Sequence, residues 1–222
     1  MLFRDRHHAG QVVAQRLAHY RDRRDTIVLG LPRGGVPVAA QVASALHAPL
    51  DVFVVRKLGF PGHEEYAMGA IASGGARVIN PDAIAFRVPQ ATIDAVAERE
   101  QKELERRERL YRGSRPPLVL ENRVVVLVDD GLATGSTMRA AATAVKQANP
   151  ARVVVAVPVA AAETCADLGR EVDEIVCAET PEPFRAVGLW YLDFGQTSDD
   201  EVRALLDAAW QSHDPPAAPT SS

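Results

Sequence analysis

Val124-Val125-Val126-Leu127-Val128-Asp129-Asp130-Gly131-Leu132-Ala133-Thr134-Gly135-Ser136-Thr137-Met138 runs from an apolar, β-branched segment through two adjacent carboxylates into a short loop that opens a helix. A strand apolar at every position is one buried on both faces, as in a parallel sheet. Open α/β sheets place their ligands at the carboxyl ends of such strands. The loop offers backbone N–H groups and the hydroxyls of Thr134, Ser136 and Thr137 to an anion at the following helix N-terminus. The acids before it suit sugar hydroxyls or a bound divalent metal. One segment thus holds parts for a phosphate, a ribose and Mg²⁺. The plainer alternative is a strand–turn–helix whose acids only cap the helix. A Walker loop is excluded, because no G-x-x-x-x-G-K-[ST] occurs.

Outward from this segment, the pattern alternates strand and helix. Toward the N-terminus, the spacing of Val12, Val13, Leu17 and Ala18 predicts a first helix over Gln11–Tyr20. Thr26–Leu31 reads as a strand broken by Pro32-Arg33-Gly34-Gly35, and Val36–Leu46 as a helix that tolerates Pro37 in its first turn. Asp51–Val55 reads as a second strand running into Arg56-Lys57. Leu58–Gly75 shows no clear period, and loops this long are functional or mobile. Ala76–Asn80 reads as one arm of a small hairpin, and Pro89–Arg112 as a helix with Ile93, Val96, Ala97, Leu104 and Tyr111 on one side. The Glu/Arg-rich remainder of that helix reads as a solvated face, with a partner interface as the alternative.

Downstream, Thr137–Ala148 is helical, Arg152–Val159 a buried strand, Glu163–Arg170 a short helix and Val172–Cys177 a further strand. A terminal unit spans Phe184–Trp210, and Ser212–Ser222 reads as a disordered tail. The expected fold class is α/β: a central parallel sheet flanked by helices, with a small C-terminal hood mainly over 184–211, all in one domain over residues 1–211.

The 222 residues carry a net charge of −4, with 47% hydrophobic and 24% charged side chains. That describes an ordinary soluble domain and not a broad nucleic-acid binder. Cys165 and Cys177 lie in apolar contexts and read as buried free thiols, with a disulfide as the alternative. No signal peptide is visible after the charged N-terminus, and no apolar run approaches the roughly 20 residues of a bilayer span. The cytoplasm is the expected location, without membrane or nucleic-acid partners. A homodimer is left open.

The V-V-V-L-V-D-D-G-L-A-T-G-S-T-M segment resembles the phosphoribosyl-pyrophosphate (PRPP) motif of the type I phosphoribosyltransferases: a hydrophobic strand, two acids, small residues, then T-G-x-T. Leu31-Pro32-Arg33-Gly34-Gly35 is similar to that family's pyrophosphate loop. Its two glycines let backbone N–H groups close on a diphosphate, and Arg33 adds a planar charged donor set. A Gly-rich turn with an exposed Arg is the alternative. The resemblance implies a cis peptide at Pro32–Arg33. Val54-Val55-Arg56-Lys57-Leu58-Gly59 is similar to the V-x-R-K-x-G segment of adenine phosphoribosyltransferases, which implies that Arg56 and Lys57 meet the diphosphate. Glu65-Tyr66 looks like the E-Y pair of their flexible loop, with Glu64 beside it. His63 reads as an exposed loop histidine. Val187-Gly188-Leu189-Trp190-Tyr191-Leu192-Asp193-Phe194 resembles the V-G-x-x-L-D-Y segment of hypoxanthine-guanine enzymes, with one residue inserted. There the segment belongs to the hood. The likeness implies a place for Asp193 in the metal shell, and Phe184, Trp190 or Tyr191 could stack on a flat base; simple packing of a small subdomain is the alternative.

Two departures bear on the acceptor. The loop position at which 6-oxopurine enzymes carry a proton-handling Asp is Ala133, as in adenine enzymes, and no base-reading Lys follows the Arg152–Val159 strand, where Ala160-Ala161-Ala162 stands. The expected activity is therefore transfer of the 5-phosphoribosyl group of PRPP to a nitrogenous base, purine-like but not a 6-oxopurine, with Mg²⁺ and release of pyrophosphate. Asp129, Asp130, Glu65, Arg33 and Lys57 would carry the transfer. Arg33, Gly34, Gly35, Arg56, Lys57, Asp129, Asp130, Ala133, Thr134, Gly135, Ser136 and Thr137 would bind PRPP. Asp129, Asp130 and Asp193 would hold the metal. The alternative is a PRPP- or nucleotide-sensing regulatory module of the same fold.

Overall fold

The Val124–Val128 run forms strand β6, and every one of its residues is buried. The computed structural model describes residues 1–80 and 88–213, with the side chains of 64–66 and 213 left aside. β6 sits at the centre of a five-stranded sheet of order β2-β1-β6-β7-β8, with β1 at Thr26–Gly30, β2 at Leu50–Val52, β7 at Arg152–Val159 and β8 at Glu174–Glu179. All pairings are parallel. Thr26 lies opposite Val124 and Gly30 opposite Val128 on one side of β6, and Val128 opposite Ala156 on the other.

Side-chain alternation splits β6 between two core layers. Val124, Val126 and Val128 pack with helices α1 (Arg6–Arg16), α2 (Gly35–Leu46), α3 (Gln90–Arg112) and α6 (Asp199–His213). Val125 and Leu127 pack with α4 (Ser136–Lys146) and α5 (Ala162–Gly169). The expected α/β class with helices on both faces is the observed one. Among the described residues no helix is long and apolar enough to cross a membrane.

Several elements differ from their sequence reading. The first helix begins at Arg6, because Asp5 caps it by accepting the His8 N–H at 2.7 Å, and it closes at Arg16 before a short 3₁₀ turn at Ala18–Tyr20. Its first turn is polar, so hydrophobic periodicity does not reveal it. The aperiodic Leu58–Gly75 stretch is largely a hairpin. β3 (Val55–Phe60), β4 (His63–Ala72) and β5 (Ala76–Ile79) form an antiparallel sheet of their own, and β5 matches the expected arm. Register shifts around Gly59 break the two-residue alternation that would have announced the strands. The expected strand Asp51–Val55 is divided, with β2 in the main sheet and Val55 opening the second one.

Cys165 and Cys177 are not free thiols: a disulfide joins α5 to β8, its Cα atoms 6.6 Å apart. Both cysteines face the second core layer, which explains their apolar contexts. Sequence alone does not say that the two elements lie side by side.

Ser212 and His213, expected in the tail, end helix α6, while 214–222 lie outside the described residues. Trp210 fastens this helix by donating its indole N–H to the Leu50 carbonyl at 2.8 Å, under the guanidinium of Arg115. Trp210→Phe removes that bond and part of the buried ring system. It is expected to lower stability by about 2–3 kcal/mol, read as a smaller urea midpoint at unchanged slope.

Candidate active site

Asp129 and Asp130 stand where β6 ends, and the loop after them is stitched to the end of β7. The Leu132 N–H donates to the Val159 carbonyl at 2.9 Å, and the Ala161 N–H to the Leu132 carbonyl at 3.1 Å. Thr164, at the start of α5, donates its hydroxyl to the Ala133 carbonyl at 2.7 Å. Gly135 then turns left-handed at φ 68° and starts α4, whose first turn no side chain caps. Uncapped N–H groups at the head of an eleven-residue helix, beside the hydroxyls of Thr134, Ser136 and Thr137, leave donors there open to an anion.

The loop after β1 closes on the same acids. The Leu31 N–H bonds the Val128 carbonyl at 2.9 Å, and the Pro32–Arg33 peptide is cis, as the family likeness implies. A Cβ on Gly34 would lie 2.0 Å from Asp130 Oδ2, and one on Gly35 would lie 2.6 Å from the Val128 carbonyl oxygen and 2.9 Å from the Asp129 Cα. These glycines are therefore needed first to let the loop touch the acidic strand end. Arg33 is partly exposed, and its charge reaches Tyr111 of α3. The Tyr111 hydroxyl, which donates to Asp199 at 2.6 Å, is pushed up to about 12, mainly by burial, with Arg33 opposing the shift.

The acids themselves are held by groups the sequence does not suggest. Arg6 directs both Nε and Nη2 onto Asp130 Oδ2 at 2.9 Å, sends Nη1 to the Gly195 carbonyl at 2.6 Å, and lies 4.0 Å above the Phe194 ring. Tyr191 donates its hydroxyl to the Asp130 carbonyl at 2.6 Å. Asp129 Oδ1 accepts the Asp130 N–H at 2.8 Å. Burial raises the pKa of Asp129 well above the carboxylate range, and the neighbouring Asp130 adds to the rise. Burial also raises that of Asp130, while Arg6 opposes it.

The remaining sequence candidates divide. Arg56 and Lys57 are neighbours on a strand and face opposite ways. Arg56 pairs with Glu100 of α3, at 3.0 Å through Nε and 2.6 Å through Nη2, so in this state a protein carboxylate holds the cation expected on a diphosphate. Lys57 is exposed and lines a cleft of about 370 Å³ with Ser136 and Arg139 of α4. Tyr191 is buried against Phe3 and Phe194, with ring centroids 5.5 and 4.9 Å away, and presents no open stacking face. Trp190 packs in the same small cluster. Asp193 accepts the Gly195 N–H and lines a second cleft, of about 270 Å³, beyond Arg6. It does not join Asp129 and Asp130: among the described residues no three metal-ligating side chains gather. His63 is exposed. Glu65 lies on β4, and its side chain, like that of Glu64, is outside the described set.

Comparison with known proteins fits this geometry. A phosphoribosyl transferase domain profile matches residues 6–182. A Mycobacterium tuberculosis protein that carries a provisional phosphoribosyl transferase name is 48% identical over 209 residues, or 94% of this chain and 47% of that protein. The chain thus spans about half the length of the curated relatives it matches. The crystal structure of TT1426 from Thermus thermophilus is 47% identical, covers 93% of this chain and 98% of its own, and superposes with a TM-score of 0.84. A hypothetical protein from Neisseria gonorrhoeae, solved with bound ppGpp, shares the fold at 15% identity and a TM-score of 0.50, over 94% of this chain and 98% of its own. With its strand-end acids, glycine loop and profile match in agreement, this chain belongs to the phosphoribosyl transferase domain family.

Proposed function

We propose that this rim transfers the 5-phosphoribosyl group of PRPP to a nitrogenous base and releases pyrophosphate. The carrying observation is the division of the acid pair: Asp129 Oδ1 and Asp130 Oδ2 are bound within the protein, whereas Asp129 Oδ2 and Asp130 Oδ1 have no partner in another described residue. Two free carboxylate oxygens beside an open helix N-terminus match a sugar bearing hydroxyls and a phosphate. In the transfer a base nitrogen bonds the anomeric carbon. The bond from that carbon to the diphosphate breaks, its electron pair leaving with the diphosphate, and the base gives up a proton. Positive charge grows on the ribose, which the acid pair stabilises, and negative charge on the leaving group, which by resemblance Arg33 and Lys57 neutralise. Because Ala133 cannot carry a proton, Glu65, on the stretch expected to close over PRPP, is the candidate to take it, with Glu64 second; by resemblance Ala133–Thr137 hold the 5-phosphate.

The site fits Mg²⁺ in donor type. Asp129 and Asp130 supply hard oxygens, and their unfavourable burial calls for a counter-charge. Two carboxylates without a third suit an ion that shares its coordination with substrate phosphates and water. When bound, Mg²⁺ would neutralise diphosphate charge.

The acceptor follows from what the rim lacks. Ala133 offers no proton-carrying side chain, and Ala160–Ala162 offer no cation to a base carbonyl, which supports a purine-like acceptor that is not a 6-oxopurine. The burial of Tyr191 favours the second reading, a PRPP-sensing module without a base platform. Pyrophosphate release from PRPP and Mg²⁺, measured across a panel of bases, separates the two. The transferase reading expects release with adenine-like bases above those with guanine or hypoxanthine. Binding of PRPP with no release for any base would leave the sensor.

Thr164→Val tests the loop assignment. It deletes the bond to the Ala133 carbonyl in a side chain of the same shape, and PRPP affinity is expected to fall about two- to tenfold in calorimetry, the worth of one neutral hydrogen bond.

A further inference from the structure

Arg6 is the first residue of α1, and its direction is fixed from both sides. Before it, Phe3 is paired in parallel with Tyr191: the Phe3 N–H donates to the Trp190 carbonyl and the Leu192 N–H to the Phe3 carbonyl, each at 2.8 Å, and the Asp193 N–H bonds the Arg4 carbonyl at 2.9 Å. After it, the Asp5 cap starts the helix. From this hinge the guanidinium donates from Nε to Asp130 Oδ2, keeps Nη2 at ion-pair distance from the same oxygen, and donates from Nη1 to the Gly195 carbonyl, with the Phe194 ring beneath. Gly34 packs against the same oxygen, since a Cβ there would sit 2.0 Å from it and 3.2 Å from Arg6 Nε. Asp130 Oδ2 is thus enclosed by protein, and the carboxylate is locked in one rotation with Oδ1 turned away from Arg6.

We propose that Arg6 is a positioning residue for the sugar: by holding Asp130 through Oδ2, it presents Oδ1 at the angle that accepts a ribosyl hydroxyl. This inference deepens the reading of the acids as sugar acceptors and rests on it. Arg6 does not touch the reacting carbon. It acts through Asp130, with a forked geometry that a lysine ammonium cannot reproduce. The same contacts tie the sugar acceptor to segment 190–195, so the paired N- and C-terminal segments serve the sugar rather than stacking on a base.

The test compares ribose 5-phosphate with its 2-deoxy and 3-deoxy forms in Mg²⁺ by calorimetric titration of the parent, Arg6→Gln and Arg6→Lys. The parent is expected to prefer ribose 5-phosphate by about tenfold over at least one deoxy sugar, the worth of a charge-assisted hydrogen bond. In Arg6→Gln that preference should shrink to within about twofold while affinity for the deoxy sugar, held by the phosphate loop, is retained; Arg6→Lys should fall between. Equal weakening of all three sugars with the preference intact would mean a merely structural Arg6 and overturn the inference alone. A parent that binds all three equally would overturn the acid assignment and the inference together. Should Arg6→Gln not fold, the intermediate preference of Arg6→Lys carries the test, and a full parental preference there overturns the proposal.

Discussion

Asp129→Asn and Asp130→Asn are each expected to weaken PRPP binding roughly tenfold to a hundredfold, because each removes a charged acceptor worth about 1.5–3 kcal/mol. The two variants should differ in stability. At position 130 the change also strips Arg6 of its partner and leaves a guanidinium that is only 12% exposed facing a neutral amide. At position 129 it removes a buried charge that desolvation and Asp130 both disfavour. Asp129→Asn should therefore melt at or above the parent temperature, and Asp130→Asn below it. Calorimetric titration with PRPP and Mg²⁺, beside a thermal melt, reads both effects. Parental affinity in both variants would remove the acids from the site.

Gly35→Ala and Gly34→Ala should separate stability from binding. The Cβ added by Gly35→Ala meets backbone of the buried central strand, 2.6 Å from the Val128 carbonyl oxygen, and neither partner can move cheaply. Overpacking of this kind costs about 1–3 kcal/mol, which for a chain of this size lowers the melting temperature by roughly 2–4 °C per kcal/mol. Gly34 has φ −63° and ψ −28°, a conformation open to any residue, so only space demands glycine there. A Cβ at that position meets the tip of the Asp130 side chain, which can give way only by leaving its place on Arg6. Gly34→Ala is thus expected to melt within a few degrees of the parent and to lose PRPP affinity about as severely as Asp130→Asn, by roughly tenfold or more. Parental affinity in Gly34→Ala would show that the locked orientation of Asp130 is dispensable.

The parts of the site that were legible in the sequence are local in it. Val124–Met138 carries its own strand, acids, turn and helix start, so composition and order suffice to place it at the rim of a central parallel strand. The loop at Leu31–Gly35 is legible for the same reason. What escaped is non-local. Arg6 meets Asp130 across 124 residues, and nothing near it in the chain distinguishes it from Arg4 or Arg16. Tyr191 reads as a stacking platform through the likeness of its segment to a hood, yet its hydroxyl holds the Asp130 carbonyl and its ring covers Phe3. The separation of Arg56 from Lys57 follows from strand alternation. It stayed hidden because the glycines and register shifts of β3 and β4 masked the strand itself. The Cys165–Cys177 bridge depends on α5 folding back beside β8, which no spacing rule states.

The most direct measurement is a crystal structure of this chain with PRPP and Mg²⁺. The ribosyl hydroxyls are expected on Asp129 Oδ2 and Asp130 Oδ1, the 5-phosphate against the N–H groups and hydroxyls of residues 134–137, and Arg6 still on Asp130 Oδ2. PRPP bound away from the end of β6, or with its hydroxyls turned from both carboxylates, would contradict the assignment of this rim as the sugar site.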